Sequence, residues 1–386
     1  MANKRVYYAV QRVEFAPIGS VTTTALHGVQ SVGLNTSFDL EQVFEFGQVE
    51  IYENIEGIPS VEMTIEKVLD GYCPGYLLAT RGAVSPTLAG RSNVQSVAHL
   101  GIWNDTDTDT TSNTPLSRCE VSGAYPSAIS YEFSVDGNAT ENLTLVANSI
   151  IWAASYSGAP AVSFSYDSTW GASDEPFAIN GSGGVQRREN LIFAIQNSGA
   201  GATLDSNSRH RDYDACCIPT DIPGISSNGV NDLTADGHAR LQRISVSTDL
   251  GRQELFELGR FAPYHRYLNF PTEVTSEFEC YSISGAMVSA TEIGVYVSNT
   301  GALCGGRYNL ANHTIRLATC DGFRLYTGKK NKLSSVNYNG GDTGGTNATV
   351  VYNYSTFNEM TVMHALDVTT AIRPTGANAT TYLAPA

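Results

Sequence analysis

Basic side chains are scarce. Across 386 residues, 23 Lys and Arg stand against 38 Asp and Glu, a formal net charge of −15. Nucleic-acid binders gain affinity by releasing counterions through clustered Lys and Arg, so a chain this acidic repels a phosphate backbone. No apolar run approaches the roughly 18–20 residues that cross a bilayer, so no membrane partner is expected. The opening MANKRVYYAVQ has no long apolar stretch and no small-residue cleavage site, so a secretory signal is not expected either. The seven cysteines (Cys73, Cys119, Cys216, Cys217, Cys280, Cys304, Cys320) are odd in number and form no CxxC pair. Without export they read as reduced thiols, mostly small buried hydrophobes. No GxSxG elbow, HExxH helix or GxxxxGK[ST] loop occurs, and the Gly181–Gly184 cluster follows no strand-then-helix pattern. No enzyme activity and no cofactor is expected.

Apolar residues and turn formers are plentiful. Apolar residues make up 42%, with 36 Gly and 14 Pro, enough for cores joined by many turns rather than disorder. The length suits two domains of about 100–200 residues each.

Internal repetition is the most informative feature. Val29–Gly47 (VQSVGLNTSFDLEQVFEFG) aligns without a gap on Leu241–Gly259 (LQRISVSTDLGRQELFELG). Gln30/Gln242, Thr36/Thr248, Phe44/Phe256, Glu45/Glu257 and Gly47/Gly259 are identical. Val29/Leu241, Val32/Ile244, Leu34/Val246, Phe38/Leu250, Val43/Leu255 and Phe46/Leu258 pair apolar with apolar, and only Leu40/Arg252 breaks that match. Flanking matches keep the same order. Val6–Gln11 parallels Leu191–Gln196, Tyr52 and Pro59 parallel Tyr264 and Pro271, and Asn142–Asn148 parallels Asn347–Asn353. We read a tandem duplication: a first domain over 1–186, with a loop, arm and linker at 155–186, and a second over 187–386, with an insertion at about 197–240.

Each repeat reads as mainly β. Val61, Met63 and Ile65 alternate with Glu62, Thr64 and Glu66, the pattern of a strand with one wet face. Ile129, Tyr131, Phe133 and Val135 repeat it, Asp136-Gly137 predicts a tight left-handed hairpin turn, and Leu143, Leu145 and Ala147 return. A looser Gly-rich turn is expected over Asn339–Gly345. Short helices are expected at Leu40–Phe46 and Tyr72–Ala79, with counterparts in the second repeat. Charge is unevenly shared. Residues 1–186 carry 7 basic and 20 acidic side chains, and residues 187–386 carry 16 and 18. Domains so different favour unlike over like neighbours.

Candidate chemistry has cheaper explanations. Asp105, Asp107 and Asp109 resemble the start of a calcium loop, but Thr110 and Leu116 stand where such a loop needs Gly and Glu. His210, Asp212, Asp214, Cys216 and Cys217 are spaced poorly for a tetrahedral metal and read as an interaction loop. Glu62/Glu66 and Glu132/Asp136 could do acid–base work, yet a wet strand face accounts for them. The 20 Tyr, 14 Phe and three Trp (Trp103, Trp152, Trp170) keep open a different class, a glycan-binding β-sandwich adhesin on a virion or cell surface. Their strand positions favour core packing instead.

The stretch Val29–Tyr72, above all Leu40, Glu41, Gln42, Val43, Phe44, Glu45, Phe46 and Gly47, resembles the tail tube proteins of long-tailed bacteriophages; Leu255–Gly259 resembles them more weakly. The resemblance implies two tandem β-sandwich or barrel domains with one or two short helices each, in a non-enzymatic virion protein. It implies that the chain is its own partner, three copies closing a pseudo-sixfold ring, with rings stacked into the tube that carries DNA to the host. The other implied partners are tail terminator, baseplate and, where one exists, sheath proteins. Under this reading Leu40, Glu41, Phe44, Glu45, Gly47, Phe256, Glu257 and Gly259 belong to a ring-forming interface. Glu132, Asp136 and Glu141 on the late hairpin are expected to face the bore and repel DNA in transit. Closure of strands into a barrel removes the open edges that a lone sandwich leaves.

Overall fold

The structure, a computed structural model, describes residues 6–20, 23–83, 85–103, 115–154, 184–197, 240–260, 262–282, 312–319, 322–341, 343–345 and 347–364. It is mainly β, with two short helices among the described residues, neither long and apolar enough to cross a membrane. The first repeat runs β1 (Gln11–Pro17), β2 (Thr24–Ala25), β3 (Val29–Ser37), β4 (Leu40–Phe44), β5 (Ile51–Glu56) and β6 (Ser60–Val68). It continues with α1 (Gly75–Ala79), α2 (Leu88–Ser92), β7 (Ser96–Ile102), β8 (Ser117–Ser134), β9 (Thr140–Ala147) and β10 (Ser149–Ala154). The second repeat opens with β11 (Leu191–Asn197), β12 (Arg240–Asp249), β13 (Arg252–Leu255), β14 (His265–Leu268) and β15 (Glu273–Tyr281). It ends with β16 (His313–Thr319), β17 (Arg324–Tyr326), β18 (Lys332–Asn339), β19 (Thr349–Phe357) and β20 (Thr361–Met363).

Both repeats pair their strands in the same antiparallel order. The first makes β3–β6–β9–β8 and the second β12–β15–β19–β18. A second layer repeats likewise, as β1–β7–β8–β10 and β11–β16–β17–β20. One long strand, β8, serves both layers of the first repeat, where the second uses β17 and β18. Even the irregularities recur. Gln30 and Gln242, an identical pair in the alignment, are the extra residues of matching bulges in β3 and β12. Ser127 of β8 and Ser334 of β18 are another such pair. A bulge breaks the ladder at one position, and here two fall at the same places of both sheets.

Alternation drives the burial. Val61, Met63 and Ile65 of β6 point into the core and Glu62 and Thr64 out of it. Tyr131 and Phe133 of β8 meet Phe323 of the second repeat, ring centroids 5.0 and 6.4 Å apart, so one core runs through both repeats. Cys73, Cys119 and Cys280 are buried and form no disulfide among the described residues, and burial pushes the last two thiols up to about 11 and about 12; Cys216, Cys217, Cys304 and Cys320 lie outside the described residues.

Several expectations are corrected. Leu143 faces Ile65 across β6–β9, and Tyr352 faces Phe278 across β15–β19, so the counterpart of Leu143 is Tyr352, four residues beyond Ala348 of the sequence match. A slip of four keeps every side chain on its face, so alternation alone cannot detect it. Similarly, Leu191–Asn197 corresponds to Gln11–Pro17, each strand following a 3₁₀ turn (Tyr8–Val10, Arg188–Asn190), and not to Val6–Gln11. The expected helix Leu40–Phe46 is strand β4, paired with β5, and its counterpart is β13, paired with β14. Helices this short hardly nucleate alone, and a hairpin partner supplies the backbone bonds instead. The expected helix at Tyr72–Ala79 is present as α1, and its counterpart falls outside the described residues. The β8–β9 turn is a five-residue loop in which Gly137 is not left-handed; a Cβ there would meet Ser134 Oγ at 2.5 Å.

Candidate assembly surface

The two repeats join edge to edge. Strand β12 pairs antiparallel with β8, from Arg243 opposite Ser134 to Asp249 opposite Ala128. On the core face Tyr131, Phe133, Ile244 and Val246 are buried. On the other face Arg243 Nε donates to Glu132 Oε1 at 2.7 Å across the joint, and Nη1 to Glu277 at 3.2 Å. The Glu132 hydrogen bond leads the causes that raise the Arg243 pKa.

Beyond that strand pair, the β13–β14 hairpin folds back onto the first repeat. Leu250, fully buried, donates its backbone N–H to Ser127 O at 2.7 Å. Arg252 Nε donates to Pro126 O at 2.8 Å and Nη2 to Ser92 O at 2.5 Å, while the guanidinium lies 5.1 Å from the Tyr125 ring centroid. Burial pulls its pKa down to about 10. Arg266 donates to Asn148 Oδ1 at 3.1 Å and pairs with Glu254 at 2.5 Å. Tyr125 Oη and His265 Nδ1 are 2.6 Å apart. A half-buried guanidinium bonded to backbone carbonyls gives the joint geometry as well as area. Arg252 was missed as a site residue, although it was the one break in the apolar match.

The same two borders recur unoccupied at the ends of the sheet. Among the described residues β3 pairs with β6 alone and β18 with β19 alone. Their apolar positions are more open than their counterparts at the joint. Tyr338 of β18 is 50% exposed where Tyr131 is 0%, and Phe38 after β3 is 64% exposed where Leu250 is 0%.

The face away from the core is polar and acidic. Glu62, Glu66, Glu132, Asp249, Glu277 and Glu279 point to it, together with Arg243. Glu132 therefore stands on this face, and Asp136 is exposed in the β8–β9 loop. Glu141 does not face outward. It shares the core face of β9 with Leu143 and accepts from Gly75 N (2.5 Å), Tyr76 N (3.2 Å) and Tyr131 Oη (2.8 Å). Burial raises its pKa, against the opposing pull of Lys67 and these donors. Its alternation with Leu143 and Leu145 was a signal for burial that its charge obscured.

The shared motif forms the hairpin tips. Leu40 and Glu41 lie on β4, and Phe44 ends it. Glu45 O accepts from Gln48 N at 3.2 Å, and Glu257 O from Arg260 N at 3.4 Å. Gly47 (φ +95°) and Gly259 (φ +84°) sit in the left-handed region with open space around them, so the backbone angle is what requires glycine. Phe44 and Phe256 are both exposed. The Asp105–Asp109 loop, the His210–Cys217 segment and the segments 155–183 and 199–229 lie outside the described residues.

No family model matches the chain, and no curated protein matches it. Solved structures align with part of it. The tube-terminating cap of the anti-feeding prophage aligns over 40% of this chain and 95% of its own, with 17% identity and a TM-score of 0.30. A chain of the PVC sheath–tube complex, an extracellular contractile injection system in its extended state, aligns over 40% and 94%, with 20% identity and a TM-score of 0.29. A chain of the anti-feeding prophage baseplate aligns over 40% and 98%, with 15% identity and a TM-score of 0.29.

Proposed function

We propose that this chain is a non-enzymatic tail structural protein that assembles with itself into rings, and that the stacked rings form a tube for DNA. One observation carries the reading. The β8–β12 joint inside the chain is built from two borders, and both recur at the ends of the sheet without a strand partner among the described residues. Placing β18 of one chain beside β3 of the next repeats the joint. The equivalent register sets Tyr338 opposite Leu34 and Val336 opposite Thr36, as Tyr131 opposes Val246 and Ile129 opposes Thr248. Three chains, each contributing two equivalent four-strand units, close a pseudo-sixfold barrel, and closure leaves no edge. The resemblance of Val29–Tyr72 to tail tube proteins agrees with it.

The second layer of strands and helices covers one face of the sheet and belongs on the outside of such a ring. The acidic face then lines the bore. Carboxylates there repel phosphates at short range even with physiological screening over about 8 Å, so DNA passes without being held. Head-to-tail stacking of rings extends the hole into a tube. Tail terminator, baseplate and sheath proteins are the partners at its ends and outer wall.

Negative-stain microscopy and mass photometry of the purified chain test this. Annuli of three chains, or hollow striated cylinders, are the expected result. A persistent monomer at high concentration, or a discrete oligomer that binds glycans through its aromatics, overturns it.

A further inference from the structure

The internal joint has a second part, the hairpin clasp, and its counterpart at the chain's end is built with different chemistry. We propose that the β4–β5 hairpin of one chain clasps the β18–β19 border of the next, seated by Phe38 and locked by an ion pair between Glu53 and Lys332 of that second chain. This rests on the ring reading above.

The assignment follows from registers. Hairpin β4–β5 pairs Leu40 with Glu56 and Val43 with Glu53, and β13–β14 pairs Arg252 with Leu268 and Leu255 with His265. With Leu40 standing for Arg252, Glu53 occupies the place of His265. On the receiving side, the shared bulge makes Pro126 and Leu333 equivalent, so Lys332 occupies the place of Tyr125. Within the chain His265 and Tyr125 touch at 2.6 Å. Between chains the same meeting places a carboxylate against an ammonium. Both Glu53 and Lys332 are exposed, and neither has an ion-pair partner among the described residues. Leu250 N, which reaches Ser127 O, maps to Phe38 N reaching Ser334 O of the second chain. That contact covers the exposed Phe38 ring as Leu250 is covered. Leu40, the break in the repeat, replaces the half-buried Arg252 with an apolar contact above Leu333.

Exchange of chemistry also selects partners. A β13–β14 hairpin laid on the β18 border would bring Arg252 and Arg266 toward Lys332, a like-charge meeting. The β4–β5 hairpin brings Glu53 instead, so first and second repeats alternate around the ring.

The test is a charge swap in the full chain. Glu53→Lys and Lys332→Glu are each expected to raise the concentration needed for ring formation at least about tenfold, and the double swap to bring it back to within about threefold of wild type. Urea unfolding of the dissociated chain should be unchanged in all three, since both positions are exposed. Wild-type rings with variants that assemble like wild type, or a double swap no better than the singles, overturn the clasp and leave the ring reading standing. A wild type that forms no ring overturns both.

Discussion

Tyr131 and Tyr338 are the same residue in two environments, and truncating each separates folding from assembly. Tyr131 is wholly buried, packs at a tilt against Phe323 with ring centroids 5.0 Å apart and donates to Glu141 at 2.8 Å. Tyr131→Ala opens an aromatic-sized cavity, worth about 3–5 kcal/mol. It also withdraws a donor from a buried carboxyl, a further loss of about 1–3 kcal/mol. Against a total stability of about 5–15 kcal/mol, that is a crippling change. Tyr338 is half exposed on an open border. Tyr338→Ala should cost the isolated chain less than about 1 kcal/mol, while each joint between chains loses roughly 1 kcal/mol of apolar burial. Tyr338→Lys, a charge on a strand edge, should block the joint outright. Urea midpoints measured on dissociated chain, with sedimentation velocity for association, read the two effects. Equal destabilisation by the two alanine variants, or ring formation by Tyr338→Lys, would refute the equivalence of the two borders.

His99 supplies a pH dependence. Burial and then Arg118 lower its pKa to about 4, so the unfolded chain takes up the proton first, and stability present above pH 6.5 is lost as pH falls toward 4. The loss amounts to roughly 3 kcal/mol. Glu14 and Glu141, whose pKa values burial raises, act oppositely, gaining stability as pH falls through their folded values toward the ordinary carboxylate range. The difference between wild-type and His99→Gln denaturation profiles over pH 4–7 isolates the histidine; parallel profiles would exclude its role. Gly47→Ala should cost about 1 kcal/mol through its left-handed φ, Gly259→Ala the same, and the double variant their sum, read by denaturant midpoints. Replacing Glu62, Glu66, Glu277 and Glu279 by Gln should turn tubes that ignore DNA into tubes that retain it, in a co-sedimentation assay at low salt. Unchanged retention would move these acids away from the bore.

Much of this architecture was readable before any coordinates. Alternation in Val61–Ile65 and Ile129–Phe133 determined which face each strand buries, because side chains in a strand point alternately to opposite sides. Identity at Gln30/Gln242 and Gly47/Gly259 marked places where the backbone departs from regular strand, a bulge and a left-handed turn, and these tolerate few alternatives. What tertiary structure alone decided were relations across the sheet. Alternation is blind to a slip of four, so only pairing identified Tyr352 as the counterpart of Leu143. The charge of Glu141 suggested solvent until its donors on α1 and Tyr131 appeared. Arg252 looked like a flaw in a repeat until the carbonyls of Pro126 and Ser92 gave it a purpose. Local pattern records which side of a strand is dry; which strand lies beside it depends on contacts between residues far apart in the chain, and those exist only once it has folded.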